Sequence, residues 1–307
     1  MKKILFYAKI AFIIGLFAWV AVKFDFKTAG NIIATANLGW AGVAVVFQFV
    51  SLYFVSLRWK MIIRGFWKRS KTTLFQLFWF YQLGVFYSLF LPTSLAGEAI
   101  RVWRLAKNED KDYAKAAFTA ILDRIIGVST WFILFIILPT HLPKNRLLLL
   151  VLLVPLALYI FKDKIAYKEK KLLDFSEHHP LDIFYAVTSS VLCQLAYLAA
   201  GYAVFRCFNV HIGVLYGAGV LAAGALVMLI PISMLGFGVR EGFFIATLPL
   251  YGALPTQAVF VTSFFVFLTY ISGITGGFIE LMNTGWKLSS LKNPDIKDNS
   301  GSQNPLQ

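Results

Sequence analysis

The sequence predicts an all-α polytopic membrane protein, an inverted repeat of about six full spans and two re-entrant broken helical hairpins. The first observation is composition: of 307 residues, 59% are hydrophobic and 14% charged, with a mean hydropathy of +0.71. The second is a series of apolar runs that approach the ~20 residues a membrane helix needs. The third is a ten-residue pattern, PTSLAGEAIR at 92–101, that returns as PISMLGFGVR at 231–240. Together they exclude a soluble globular domain, which could not cover so much apolar surface.

The apolar runs define one transmembrane domain over residues 1–285, followed by a polar tail over 286–307 that we expect to be disordered. The first run follows two lysines, yet it is longer than a signal-peptide core and lacks a clear cleavage site. We therefore expect an uncleaved helix there. The runs lie near 4–22, 39–57, 74–91, 117–139, 147–161, 184–204, 213–230, 241–252 and 257–279.

The distribution of basic residues between the loops predicts which runs cross the membrane. If 74–91 were a full span, the basic residues after it would face away from the basic stretch 58–71, against the positive-inside bias. A re-entrant hairpin over 74–106, turning at Pro92–Gly97, removes the conflict. With both termini cytoplasmic, inner loops then carry 18 Lys and Arg and outer loops carry five. The net charge of +14 thus indicates cytoplasmic loops rather than nucleic-acid binding.

The repeated pattern divides the chain into repeats of about 1–142 and 143–285, offset by 139 positions. Each repeat then holds two spans, one broken hairpin and one span, and three crossings make the second repeat upside down. The alternative is that two Pro/Gly kinks arose in unrelated helices, where such kinks are frequent. The matched residues are Pro92, Ser94, Gly97 and Arg101 in the first hairpin and Pro231, Ser233, Gly236 and Arg240 in the second, which covers 213–252.

Each hairpin has the residue types of an anion site. Proline ends the first helix, serine can cap the second, and glycine permits close backbone approach. The second helix then begins within the membrane with free N–H groups, and Arg101 or Arg240 adds a charge that can bind phosphate. Such an arginine costs at least ~2.5–3.5 kcal/mol, which a phosphate or a nearby carboxylate, Glu98 or Glu241, would offset. Alternatively, the arginines snorkel to the headgroups or pair structurally with those carboxylates.

Other polar residues have two interpretations each. Asp123 and Arg124, early in a span, form either a structural ion pair or a substrate contact, and we include both among the substrate-binding candidates. Arg58 and Trp59, at the end of a span, are typical of interfacial anchors. The histidines and the two cysteines lack metal-ligand spacing, so we expect no metal and no cofactor.

Four stretches of the chain are similar to the flippase-like family, which comprises the transmembrane region of lysylphosphatidylglycerol synthases and its stand-alone relatives. The similarity covers nearly the whole chain to about residue 285. It implies lipid translocation between leaflets of a bacterial or archaeal cytoplasmic membrane. The aminoacyl-transfer domain of the full synthases has no counterpart in this sequence, so we do not expect an enzyme. The matching stretches are SLRWK at 56–60, LPTSLAGEAIR at 91–101, LDRIIGV at 122–128 and LIPISMLGFGVREG at 229–242.

The leading hypothesis is a flippase for a lipid with an anionic headgroup, whose phosphate Arg101 and Arg240 hold in a cavity between the hairpins. One alternative is an intramembrane enzyme acting on a polyprenyl-phosphate or phospholipid, with Glu98, Asp123 and Glu241 as its acid–base candidates. Another is a non-catalytic membrane partner of a soluble lipid-biosynthesis enzyme. The identity of the lipid, the direction of transport, any coupling ion and a homo-oligomeric state stay open.

Overall fold

The computed structural model describes residues 26–67, 69–90, 94–141, 180–228 and 239–284. All regular structure in these ranges is helical, which confirms the all-α class. The runs predicted as spans at 4–22 and 147–161 and the tail over 286–307 lie outside the described residues. The helices are α1 Phe26–Ala34, α2 Leu38–Phe66, α3 Leu74–Phe90, α4 Ser94–Asn108, α5 Tyr113–Ile137, α6 Pro180–Cys207, α7 Val214–Val227, α8 Val239–Thr247 and α9 Pro255–Thr284, with a 3₁₀ turn at Leu248–Tyr251.

Four of the described helices, α2, α5, α6 and α9, are long and apolar enough to cross a membrane. They correspond to four of the six predicted spans, and a polytopic membrane protein is therefore the class of this chain. The total number of spans stays a prediction.

The boundary of α2 corrects the sequence analysis. We expected a basic loop from residue 58, whereas α2 continues to Phe66. The helix can continue because the Arg58 side chain is buried among other helices and the Lys60 ammonium donates to the Thr72 carbonyl.

The first predicted hairpin is present as two antiparallel helices, α3 and α4. The Gly84 and Gly97 backbones touch near the turn, since a Cβ on Gly84 would lie 2.9 Å from the Gly97 carbonyl oxygen. At the other end, the Glu109 carboxylate after α4 accepts hydrogen bonds from the Thr72 amide at 3.1 Å and hydroxyl at 2.6 Å, just before α3. The chain thus returns to the end where the hairpin began. The depth of the hairpin in a bilayer stays a prediction.

The second predicted hairpin has the same form. The α7 residue Gly224 packs against Phe244 of α8, and the Tyr216 and Tyr251 rings meet 6.3 Å apart where the hairpin begins and ends. The predicted turn at Pro231–Gly236 lies outside the described residues.

The described helices keep the register of the 139-residue offset. Adding 139 to Leu38–Phe66, Leu74–Phe90, Ser94–Asn108 and Tyr113–Ile137 gives 177–205, 213–229, 233–247 and 252–276. These ranges overlap α6, α7, α8 and α9.

The most extensive helix contact joins α2 to its counterpart α6. Its contacts pair Asn37 with Cys207 and Ser51 with Cys193, so the two helices run antiparallel. Antiparallel counterparts support the inversion of the second repeat, which stays a prediction.

Candidate functional site

The Asp123 carboxylate lies at the junction of the first hairpin with two spans, and only 1% of the residue is exposed. Oδ1 accepts from Arg58 Nε of α2 at 2.6 Å. Oδ2 accepts from the Tyr81 hydroxyl of α3 and, at 3.5 Å, from Arg101 Nη2 of α4. One carboxylate on α5 therefore connects four helices, and its negative charge offsets part of the positive charge of Arg58 and Arg101.

Small and hydroxylated residues make room for Arg58 in this interior. Gly127, one turn after Asp123, leaves the space the guanidinium fills, since a Cβ there would lie 2.8 Å from Arg58 Nη1. The same nitrogen donates to Ser190 Oγ of α6 at 3.0 Å, and that hydroxyl also bonds Thr130 at 2.8 Å. The cluster thus includes α6, which belongs to the second repeat.

Arg101, the arginine of the first repeated motif, is 5% exposed and packs between aromatic rings. Its guanidinium carbon lies 3.6 Å from the Tyr81 ring centre and 4.5 Å from that of Trp59, in cation–π geometry. Its buried Nε has no hydrogen-bond partner among the described residues. The close contact of Gly84 with Gly97 allows α4 to approach α3 and brings Arg101 over Tyr81.

The cluster opens to the surface at Glu98 and Arg124. Glu98 Oε1 accepts from Arg101 Nη1 at 3.1 Å and also from Arg124 Nη2. Side-chain exposure rises along this series of ion-paired residues, from 6% at Arg101 through 22% at Glu98 to 56% at Arg124. Three arginines, Arg58 included, thus face two carboxylates, Glu98 and Asp123, so these five charges leave an excess of one positive charge.

The second hairpin carries a simpler arrangement. Arg240 is 5% exposed in the first turn of α8, and its Nη2 and Nε lie 3.3 and 3.4 Å from Glu241 Oε1. The 139-residue offset relates Arg58 to Tyr197 and Asp123 to Thr262, which are uncharged. The buried charge cluster of the first repeat therefore has no charged equivalent at these positions of the second.

The structure decides several of the alternatives. Arg101 and Arg240 are buried and do not reach the surface, and each pairs with the nearby carboxylate, Glu98 or Glu241, as the alternative interpretation expected. Anchoring by Arg58 and Trp59 was a wrong interpretation, since both are buried in the helix bundle. Asp123 and the adjacent Arg124 do not pair with each other, and each has a different partner.

Other predictions are not tested. No hydrogen bond, ion pair or ring contact between described residues joins Arg101 to Arg240, and their common cavity stays a prediction. Ser94 begins α4, but its side chain is outside the description. Also outside the described residues are Pro92, Pro231, Ser233 and Gly236.

An apolar groove of about 740 Å³ lies between α2 and α3. One of its lining residues, Phe78, is one helical turn from Tyr81 of the charge cluster. Its lining is Val45, Val46, Phe49, Val50, Tyr53, Leu74, Phe75 and Phe78. Such a surface suits a hydrocarbon chain.

Comparison with known proteins identifies a family. No curated protein and no solved structure matches the chain. The family described as the lysylphosphatidylglycerol synthase TM region matches residues 6–277, which is most of the chain. The protein is therefore a membrane protein linked to lipid metabolism or transport, and it belongs to the family of the lysylphosphatidylglycerol synthase transmembrane region.

Proposed function

We propose that this protein moves a lipid with an anionic, phosphate-bearing headgroup between the leaflets of the cytoplasmic membrane. The observation that carries the proposal is the pair of guanidiniums, Arg101 and Arg124, that meet at Glu98. Arg124 is the twelfth residue of the 25-residue helix α5, yet its side chain is 56% exposed. A cation exposed at the middle of a span is costly in hydrocarbon, and an anionic ligand or a polar cavity would remove that cost.

The chemistry of the two side chains suits a phosphate. A guanidinium presents a planar fork of N–H donors that matches phosphate oxygens, and it stays charged at every physiological pH. Arg101 is held in place by Tyr81 and Trp59, so it provides a fixed contact. Arg124 is exposed and provides the contact that an entering headgroup meets first.

The apolar groove between α2 and α3 supports a lipid as the ligand. Because Phe78 and Tyr81 occupy neighbouring turns of α3, a headgroup at the charge cluster would leave its hydrocarbon chain beside the groove. A volume of about 740 Å³ exceeds that of a single acyl chain of ordinary length. A soluble phosphate compound would make no use of this surface.

We favour transport over catalysis because the candidate carboxylates are all bound to arginines. Asp123 accepts from two arginines and a tyrosine, Glu98 from two arginines, and Glu241 lies against Arg240. A general acid or base must direct its oxygen at the substrate, and these carboxylates already accept hydrogen bonds from arginines.

The test is lipid movement by the purified full chain in proteoliposomes. A fluorescent phosphatidylglycerol in the inner leaflet is followed as it becomes accessible to an external quencher, with fluorescent phosphatidylcholine in parallel. We expect wild-type protein to accelerate phosphatidylglycerol movement over protein-free vesicles. The variant with Arg101→Gln and Arg124→Gln, the two arginines that meet at Glu98, should return to the protein-free rate.

Three controls make this result interpretable. Arg69→Gln removes an exposed arginine from the loop before α3 and should leave transport unchanged. Arg101→Lys keeps the positive charge but removes the planar set of guanidinium N–H donors. Thermal melting shows which variants remain folded. Unchanged transport by the folded double variant would exclude the assigned role of the two arginines. No transport by wild type would favour a non-catalytic partner, and a new lipid product on a thin-layer plate would favour an enzyme.

A further inference from the structure

We infer that Glu98 is a resident counter-ion, which occupies the phosphate position between Arg101 and Arg124 and is displaced when substrate binds. The inference rests on the proposed function and assigns Glu98 a role opposite to that of a ligand for the headgroup. Glu98 Oε1 accepts from Arg101 Nη1 at 3.1 Å and from Arg124 Nη2. An oxygen of a phosphate would accept the same two hydrogen bonds, so the carboxylate and the phosphate compete for one position.

The cluster contains two carboxylates, and their surroundings show which one can exchange. Asp123 has a side-chain exposure of 2% and is also held by Arg58 at 2.6 Å and by Tyr81. Glu98 is 22% exposed, and the two arginines are its hydrogen-bond partners. Glu98 can therefore leave the guanidiniums for a more polar position, whereas Asp123 would leave a second arginine without its partner.

A displaceable carboxylate has a consequence for a transporter. Without substrate, Glu98 offsets one of the positive charges of Arg101 and Arg124, so the empty protein carries less uncompensated charge through its conformational change. With substrate, the repulsion between the carboxylate and the phosphate weakens binding and favours release. Glu98 thus lowers affinity and raises the rate of turnover.

The second hairpin shows a related pairing. Arg240 lies against Glu241, one position later, whereas Glu98 precedes Arg101 by three positions. The two carboxylates are not at equivalent positions of the repeats, because the 139-residue offset relates Glu98 to Phe237 and Glu241 to Val102. Each hairpin arginine therefore pairs with a carboxylate of its own helix, at a different spacing in the two repeats.

The test measures binding to the purified full chain in detergent, with Glu98→Gln beside wild type. The probes are dioctanoyl phosphatidylglycerol and glycerol 3-phosphate, which separate a lipid headgroup from a free phosphate compound. We expect Glu98→Gln to bind the lipid about tenfold more tightly, which is the loss of one competing charge-assisted contact. In proteoliposomes the same variant should show a lower half-saturating lipid fraction together with a lower maximal rate.

Two further variants separate this role from a structural one. Asp110→Asn removes an exposed carboxylate beyond the end of α4 and should change neither affinity nor rate. In an Arg124→Gln background the gain from Glu98→Gln should be smaller, because only Arg101 remains as a donor for which Glu98 and the phosphate compete. If Glu98→Gln does not fold, Glu98→Asp keeps the charge but reaches less far, and should still tighten binding about threefold.

The outcomes distinguish this inference from the proposed function. Equal or weaker lipid binding by a folded Glu98→Gln would overturn the inference, and so would the absence of phosphate binding in all variants. Tighter binding of both probes would assign the competition to the phosphate itself, and tighter binding of the lipid alone would assign it to the whole lipid. Tighter binding with no lipid movement by wild type would reject the flippase and retain Glu98 as the counter-ion.

Discussion

At the residue scale, the first repeat depends on one buried carboxylate. Asp123 joins Arg58, Tyr81 and Arg101, and its removal leaves the buried Arg58 guanidinium without its carboxylate partner and Arg101 with Glu98 alone. The cost of such a loss exceeds the net worth of the pairs themselves, because the remaining charges stay desolvated. Stability of the helix bundle and charge at the site are therefore linked through the same side chain.

We predict that Asp123→Asn lowers the free energy of unfolding by about 3–5 kcal/mol, the usual cost of breaking a buried ion pair. The measurement is the apparent Tm of the purified protein in detergent, followed by tryptophan fluorescence. Asp110→Asn, at an exposed position, is the matched control and should change stability by less than about 0.5 kcal/mol. Equal melting of the two variants would contradict the structural role of Asp123.

At the element scale, the first hairpin is stabilised at both ends. Near its turn the Gly84 and Gly97 backbones touch, and at its open end Glu109 binds residues that precede α3. Burial alone would raise the pKa of Glu109, but hydrogen bonds from Thr72, Ser70 and the Lys71 amide hold the pKa below its ordinary value.

We predict that Gly97→Val destabilises the hairpin by about 1–3 kcal/mol or more, because the new side chain overlaps the Gly84 carbonyl oxygen and α3 must move away from α4. Arg101 then loses its position over Tyr81, so lipid binding should fall with stability. Gly42→Ala in α2, where a Cβ meets nothing within 4 Å, is the control and should be neutral or stabilising. Tm and lipid affinity are measured together, and an unaffected Gly97→Val would show that the two helices are not held this closely.

The hydrogen bonds to Glu109 at the open end of the first hairpin predict how the stability of the protein depends on pH. Because the pKa of Glu109 is lower in the folded protein, its contribution is present above its unfolded pKa of about 4.3 and is lost as the pH falls through the folded value. At pH 7 the free energy of unfolding of wild type should therefore exceed that of Glu109→Gln by about 1–2 kcal/mol. The Tm of wild type should be correspondingly higher. The two Tm curves should converge as the pH falls below the folded-state pKa of Glu109. A constant difference down to low pH would show that the ionised form contributes nothing.

Sequence patterns predicted the hairpins better than the charge cluster, for physical reasons. Proline, glycine and arginine at matched offsets are local signals, and they identified α3–α4 and α7–α8. The cluster depends on contacts that are distant in sequence, 65 positions from Arg58 to Asp123 and 132 to Ser190. Nothing beside Arg58 distinguishes a buried arginine from an interfacial one. Gly127, one turn after Asp123, was the available signal for it.

The pairing of Glu98 with Arg124 was also missed, although helix geometry contains the reason. Adjacent residues on a helix point in different directions. Asp123 faces Arg58 in the bundle, whereas Arg124 faces Glu98. The sequence alone could not identify that neighbour, because it comes from α4, 26 positions earlier.

At the scale of the whole molecule, each hairpin contacts the opposite repeat near its own open end. At the open end of the first hairpin, Arg104 of α4 pairs with Glu280 of α9 and lies over Trp79 and Trp103. At the open end of the second, the His141 ring after α5 stacks on Tyr216 at 4.8 Å and lies 5.1 Å from Tyr251. Glu280 and His141 are 139 positions apart, so the repeat relates the two contacts. In the predicted topology the first contact is cytoplasmic and the second external, where gates of an alternating-access transporter would lie.

The cytoplasmic contact yields a prediction about conformational balance. Glu280→Gln weakens a partly buried ion pair between the two repeats, so it should favour the state open to the cytoplasm.

The reporter is Ser272→Cys on α9, a position only 1% exposed, with Cys193 and Cys207 replaced by serine. A membrane-impermeant maleimide applied from the cytoplasmic side should label this cysteine roughly fivefold faster in Glu280→Gln, corresponding to about 1 kcal/mol. The exchanged pair Arg104→Glu with Glu280→Arg should restore slow labelling, because it restores the attraction. If labelling is unchanged, or rises from the external side, the Arg104–Glu280 pair serves packing alone and does not act as a cytoplasmic gate.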